Sequence, residues 1–153
     1  MDYIVKQRTN NWMQISFEAL SENESLARMA VASFVMPLNP TLEELADIKT
    51  AISEAVTNAI IHGYEEETGT VMLRCALRGD LLEVEIEDQG KGISDIDQAM
   101  EPLFTTKPDK DRSGMGFSFM EAFMDDLEVS SVPGMGTTVK MKKKLGTTSW
   151  LDL

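Results

Sequence analysis

The chain is poor in most of what would place it outside the cell or on nucleic acid. One cysteine, Cys75, in 153 residues rules out an internal disulfide. No apolar run approaches the roughly 20 residues that a membrane helix needs. The opening MDYIVKQRTNNW has no apolar core ending at a small-residue cleavage site, so no signal peptide is expected. Together these features predict a cytoplasmic protein that does not enter a membrane. Cations are also scarce: 14 Lys and Arg stand against 26 Asp and Glu, a net charge of −12. That balance argues against direct binding of nucleic acid, which depends on basic surface. It would also repel a polyphosphate unless local N–H groups, a few cations and a metal ion offset the field. Neither His-Arg-Asp, Asp-Phe-Gly nor a P-loop is present. There is one histidine, His62, and no internal repeat or low-complexity tract.

What is present reads as a single domain over residues 1–153, with 42% apolar residues to build a core. Residues 13–19 alternate as a strand. Ser21 and Glu24 read as a capping box opening a helix to about Met36, ended by Pro37 and Pro40. Thr41 and Glu44 form a second box, and that helix runs to about His62, with Gly63 as its stop. Residues 70–78 and 81–88 read as a hairpin around Arg78-Gly79-Asp80. Val71, Leu73, Cys75 and Leu77 share one face of the first strand. On the second, Leu82, Val84 and Ile86 face the core and Glu83, Glu85 and Glu87 face water, which puts Asp88 in phase with the apolar side. A short helix over 94–100, a polar segment over 101–114, a helix over 115–126 and strands over 127–132 and 137–144 complete the order. The expected fold is α/β (α+β), a two-layer sandwich: a mixed, mostly antiparallel sheet with helices on one face.

Four groups of residues can carry chemistry. Glu54, Asn58 and His62 share one stripe of the second helix, opposite Leu45, Ile48, Ile52, Val56 and Ala59. The stripe is either an ordinary solvated face or a carboxylate placed to take a proton beside a carboxamide oxygen suited to Mg²⁺. Asp88-Gln89-Gly90-Lys91-Gly92 sets an inward carboxylate before two glycines. It is either a capped turn or an acceptor for a base amino group with room for a flat ring. Arg112-Ser113-Gly114-Met115-Gly116-Phe117 leads into a helix, as a glycine-rich linker or as a phosphate site that Lys107 and Arg112 complete. Gly134-Met135-Gly136-Thr137-Thr138 turns Thr137 inward with Val139 and Met141, as a strand residue or as a partner of Asp88.

In this order, the four groups resemble the Bergerat-fold ATPases and kinases, a family shared by gyrase, MutL and histidine kinases. The pattern is Glu-x-x-x-Asn, then Asp-x-Gly-x-Gly, then a lid ending Gly-x-Gly, then a late Gly-Thr. Glu54 and Asn58, Asp88 to Gly92, Gly114 to Gly116, and Gly136-Thr137 match it. Three further stretches narrow the likeness: 53–64 (SEAVTNAIIHGY), 102–107 (PLFTTK) and 23–28 (NESLAR). With these, residues 13–145 resemble the anti-sigma-F factors of endospore-forming bacteria.

The resemblance implies a homodimer that binds a sporulation sigma factor and uses Mg-ATP to phosphorylate a serine of an anti-anti-sigma protein. It implies Glu54 as general base, Asn58 as the Mg²⁺ ligand, and Asp88 and Thr137 as readers of adenine, with Gly90 and Gly92 beside the base. Lys107, Arg112, Ser113, Gly114, Met115, Gly116 and Phe117 would hold phosphates. Arg28 would touch both protein partners. The 101–114 loop is expected to be mobile without nucleotide and ordered by the γ-phosphate. A sensor histidine kinase would need a helical segment carrying its phospho-accepting histidine, and a gyrase- or MutL-like machine would need transducer domains. A binding-only anti-sigma module would not need Glu54 and Asn58.

Overall fold

The computed structural model describes residues 10–65, 67–101 and 116–146. Lys107, Arg112, Ser113, Gly114 and Met115 lie outside these residues, and so does almost all of the expected phosphate loop.

Five strands form one sheet: β1 (Asn10–Glu18), β2 (Thr70–Arg78), β3 (Leu81–Asp88), β4 (Asp126–Val132) and β5 (Gly136–Lys144). Their spatial order is β1-β2-β3-β5-β4. Every pairing is antiparallel, so the mixed sheet expected from the sequence is wholly antiparallel here. β1 starts three residues earlier than expected because Asn10 pairs with Arg78 at the far end of β2.

Helices α1 (Asn23–Phe34), α2 (Leu42–Asn58) and α4 (Gly116–Phe123) cover one face, and a short α3 (Ile96–Ala99) precedes the undescribed segment. α2 is the central helix, packed between α1 and α4. The Thr41 box forms as expected: Glu44 N–H donates to Thr41 Oγ1 at 3.0 Å, and Thr41 N–H donates to Glu44 Oε1 at 2.8 Å. Such a cap contributes about 1 kcal/mol.

The Ser21 box does not form. The residue before α1 is Glu22, and it makes no side-chain cap. The Glu24 carboxylate instead accepts from Arg28 at 3.2 Å and from the Thr57 hydroxyl on α2 at 3.2 Å. A charge-assisted pair combined with a bond between helices outweighs a single local cap. α1 stops at Phe34, and a 3₁₀ turn over Met36–Leu38 holds Pro37.

The core is one cluster between the helices and the inner sheet face. Ile48, Ile52 and Val56 of α2 meet Leu73, Leu82, Ile86 and Met141, with Val31 and Met120 at the flanks, all fully buried. Cys75 lies among them, and burial pushes its thiol up to about 12, so it behaves as an unreactive hydrophobe.

No helix among the described residues covers the outer sheet face, where charges alternate by strand. Glu83, Glu85 and Glu87 are only about one-third exposed there, rather than open to water, because arginines lie across them. Arg74 reaches Glu85 at 3.5 Å and Glu87 at 3.1 Å, and Arg78 reaches Glu83 at 3.2 Å. The β5 register sets Lys140 and Lys142 on their other side. No helix among the described residues is long and apolar enough to cross a membrane.

Candidate functional site at the end of the central helix

Asp88 ends β3 in phase with Leu82, Val84 and Ile86, so the strand's own period turns its carboxylate inward. Thr137 faces it from β5 by direct cross-strand pairing. Among the described residues these two are the buried polar side chains, 7% and 8% exposed. The carboxylate is not left without donors, since Gly90 N–H donates to Oδ1 at 2.9 Å. Burial pushes the Asp88 carboxyl above its ordinary value. The backbone N–H groups of Gly90 and Thr137 pull it back, and the neighbouring Glu87 charge adds to the rise.

The loop after Asp88 is docked by hydrogen bonds to three residues. Lys91 N–H donates to Gly63 O at 2.9 Å, Gln89 N–H to the Tyr64 hydroxyl at 2.7 Å, and Ile93 N–H to Ser131 Oγ on β4 at 2.7 Å. Tyr64 in turn donates to Thr70 O at 2.6 Å, fastening the loop to the start of β2. Gly90 lies so close to Gly63 that a Cβ would collide with the Gly63 carbonyl. Gly136 adopts φ +98, and a Cβ there would collide with the Asp88 carbonyl. Gly92, at φ +77, backs onto the Val132 carbonyl.

The helix that meets this loop changes its winding to do so. α2 is regular to Asn58 and then widens into a π turn over Ala59–Gly63, with Tyr64 N–H donating to Ala59 O at 3.0 Å. The widening carries Gly63 to Asp88: a Cβ on Gly63 would stand 2.8 Å from Asp88 Oδ1. π turns of this kind often mark functional sites. His62 lies inside the turn, one turn on from Asn58.

Glu54 and Asn58 face the first residue of α4. A Cβ on Gly116 would stand 3.1 Å from Asn58 Oδ1 and 3.4 Å from Glu54 Oε2. Gly116 is buried, and Phe117 packs against the core. The structure thus brings Asp88, Thr137, Gly90 and Gly92 together at the end of α2, and sets Glu54, Asn58 and Gly116 together beside them along the same helix.

Arg28 lies elsewhere, at the α1–α2 junction. It is held by Glu24, by Ser25 Oγ at 2.9 Å and by Ser53 Oγ at 3.3 Å, with its side chain 34% exposed. Arg28 is thereby tied to Ser53, the residue next to Glu54.

Sequence reasoning missed Tyr64 and Ser131. Ser131 carried a usable signal. It falls in phase with Leu127 and Val129, a hydroxyl on the half-buried face of β4, just as Thr137 is on β5. Tyr64 carried none, because its role arises from bridging the start of β2 and the loop after Asp88.

The comparisons agree with this geometry. The model of the family described as "Histidine kinase-like ATPase domain" matches residues 17–143. An anti-sigma F factor from a Thermoanaerobacter species is 53% identical over 137 residues, covering 90% of this chain and 96% of that protein. The anti-sigma F factor of Bacillus subtilis is 54% identical over 136 residues, covering 88% and 93%. Among solved structures, the RsbU and RsbW domains of a Mycobacterium tuberculosis protein align with a TM-score of 0.63 at 20% identity, over 88% of this chain and 32% of that one. That likeness concerns the fold alone. By sequence identity over nearly the whole of both chains, and by the domain match across the same span, this chain belongs to the anti-sigma F factor family, built on a histidine kinase-like ATPase domain.

Proposed function

We propose that this chain binds Mg-ATP at the end of α2, phosphorylates a serine of an anti-anti-sigma protein, and as a homodimer sequesters a sporulation sigma factor. The observation that carries the kinase reading is the sharing of one helix by two sites. Asp88 and Thr137 offer hydrogen-bonding groups to a base at its end, and Glu54 with Asn58 meets the N-terminus of α4 along its side. Membership of the anti-sigma F factor family supports the partner assignments.

In this reading Asp88 and Thr137 bind adenine, while Gly90 and Gly92 let the backbone approach the ring. Lys107, Arg112, Ser113, Gly114, Met115, Gly116 and Phe117 hold phosphate oxygens. The Asn58 carboxamide oxygen suits Mg²⁺, a hard cation. Phosphate oxygens and water would supply further oxygen ligands to it. Bound Mg²⁺ would offset charge on the transferring phosphoryl group. Glu54 takes the proton of the substrate serine hydroxyl as its oxygen forms the bond to the γ-phosphorus. The bond to the bridging oxygen breaks, and ADP leaves with that electron pair.

The test is incubation with labelled Mg-ATP and an anti-anti-sigma protein, followed by analysis for phosphoserine. Binding of ATP and sigma factor without phosphoserine would instead identify a binding-only module.

Arg28 is the proposed partner contact, since the planar guanidinium is favoured at interfaces. Arg28→Ala is expected to weaken both the sigma factor and the anti-anti-sigma protein by about tenfold or more, with ATP affinity unchanged. Binding titrations of each ligand check this. The two proteins should also compete, and a ternary complex on one subunit at unchanged affinities would refute a shared surface.

A further inference from the structure

Ser131 Oγ has three neighbours in hydrogen-bond range: Ile93 N at 2.7 Å, Thr137 Oγ1 at 2.9 Å and Gly136 O at 3.0 Å. A hydroxyl has one proton and two lone pairs. Ile93 N–H can only donate, and a carbonyl can only accept. All three contacts are satisfied together in one arrangement: the Ser131 proton goes to Gly136 O, and Thr137 donates its own proton to Ser131. Thr137 then has lone pairs alone to offer the cleft, beside the Asp88 carboxylate on the paired strand.

We infer that Ser131 is a specificity-determining positioning residue: by drawing the Thr137 proton to itself, it makes the base-binding end of the cleft a site of acceptors only. Such a site takes a purine whose facing edge donates, as an exocyclic amino group does. It rejects one that presents a carbonyl there, because two acceptors would then meet without a proton between them. Ser131 touches no ligand in this account and acts through Thr137. The same hydroxyl also holds the loop after Asp88 through Ile93, so a purely structural role must be separated from a role in selection.

This inference rests on the nucleotide-site reading above. The test compares Mg-ATP with Mg-ITP, whose base carries a carbonyl in place of the adenine amino group, by calorimetric titration of the full chain. The unsubstituted protein should favour ATP. In Ser131→Ala the Thr137 proton is released toward the cleft, and the ATP-to-ITP affinity ratio is expected to fall about tenfold. Ser131→Thr retains the hydroxyl and should keep the ratio. If the alanine variant does not fold, Ser131→Cys serves instead, because a thiol is too weak an acceptor to hold the Thr137 proton. Equal weakening of both nucleotides, or an unchanged ratio, would overturn the inference and leave the nucleotide site standing. Failure of the unsubstituted protein to bind ATP would overturn both.

Discussion

Glu54→Gln is expected to lower phosphoryl transfer by a factor on the order of 10²–10⁴ while leaving ATP affinity nearly unchanged. The substitution keeps the size and one carbonyl oxygen of the side chain but removes its capacity to take a proton. Glu54 lies on the polar side of α2, whose opposite face, through Ile48, Ile52 and Val56, is fully buried, so the backbone that places it should not move. Single-turnover phosphorylation and equilibrium ATP binding, measured on the same preparation, separate the two effects. Near-normal transfer would remove Glu54 as the base. Parallel loss of binding and transfer would mean that it holds the nucleotide rather than the proton.

Asp88→Asn should divide stability from function. Burial raises the carboxyl of the folded protein above its ordinary value of 3.8, so the folded state holds that proton more tightly than the unfolded chain. Between 3.8 and the raised value the folded state therefore carries more bound protons, and stability falls as pH rises through that window. Above it, the ionised carboxylate is a standing cost to the protein without nucleotide. The asparagine variant avoids this cost and keeps an oxygen for Gly90 N–H, so its thermal midpoint without ligand should not drop at neutral pH. Its ATP affinity should fall by about 10²-fold, because an amide cannot reproduce the acceptor pattern of a carboxylate without rearrangement. The rise in midpoint that ATP produces in the unsubstituted protein should be correspondingly small. ATP should also bind more weakly as acid protonates Asp88, and it should be preferred to GTP. Thermal melts with and without nucleotide check both halves. Unchanged ATP affinity in the variant, or equal binding of ATP and GTP, would contradict the assignment.

Much of the site was legible because it follows from short periods within single elements. The two-residue period of β3 turns Asp88 inward with Ile86, and that of β5 does the same for Thr137 with Val139. The helical period of α2 separates Glu54 and Asn58 from Ile48 and Ile52. The Thr41–Glu44 cap was readable for the same reason, since both partners lie within one turn. Readings failed where a side chain had a distant alternative. Glu24 was expected to cap its own helix, but Thr57 lies across the α1–α2 interface and Arg28 one turn on, and together they take its carboxylate. The π turn was not legible either, because the apolar pattern of the segment after Asn58 continues without a break.

The sequence by itself determined which residues line each face, where helices and strands alternate, and that an inward carboxylate precedes a glycine-rich turn. These depend on the chemistry of neighbours a few positions apart. Tertiary structure alone decided that Gly63 would stand against Asp88, that Tyr64 would hold the loop to β2, that Arg28 would reach the residue next to Glu54, and that the Ser131 hydroxyl would meet that of Thr137. Each of these joins segments separated in the chain. Their meeting depends on strand register and on how α2 seats across the sheet, which the packing of the whole core sets and no local pattern encodes.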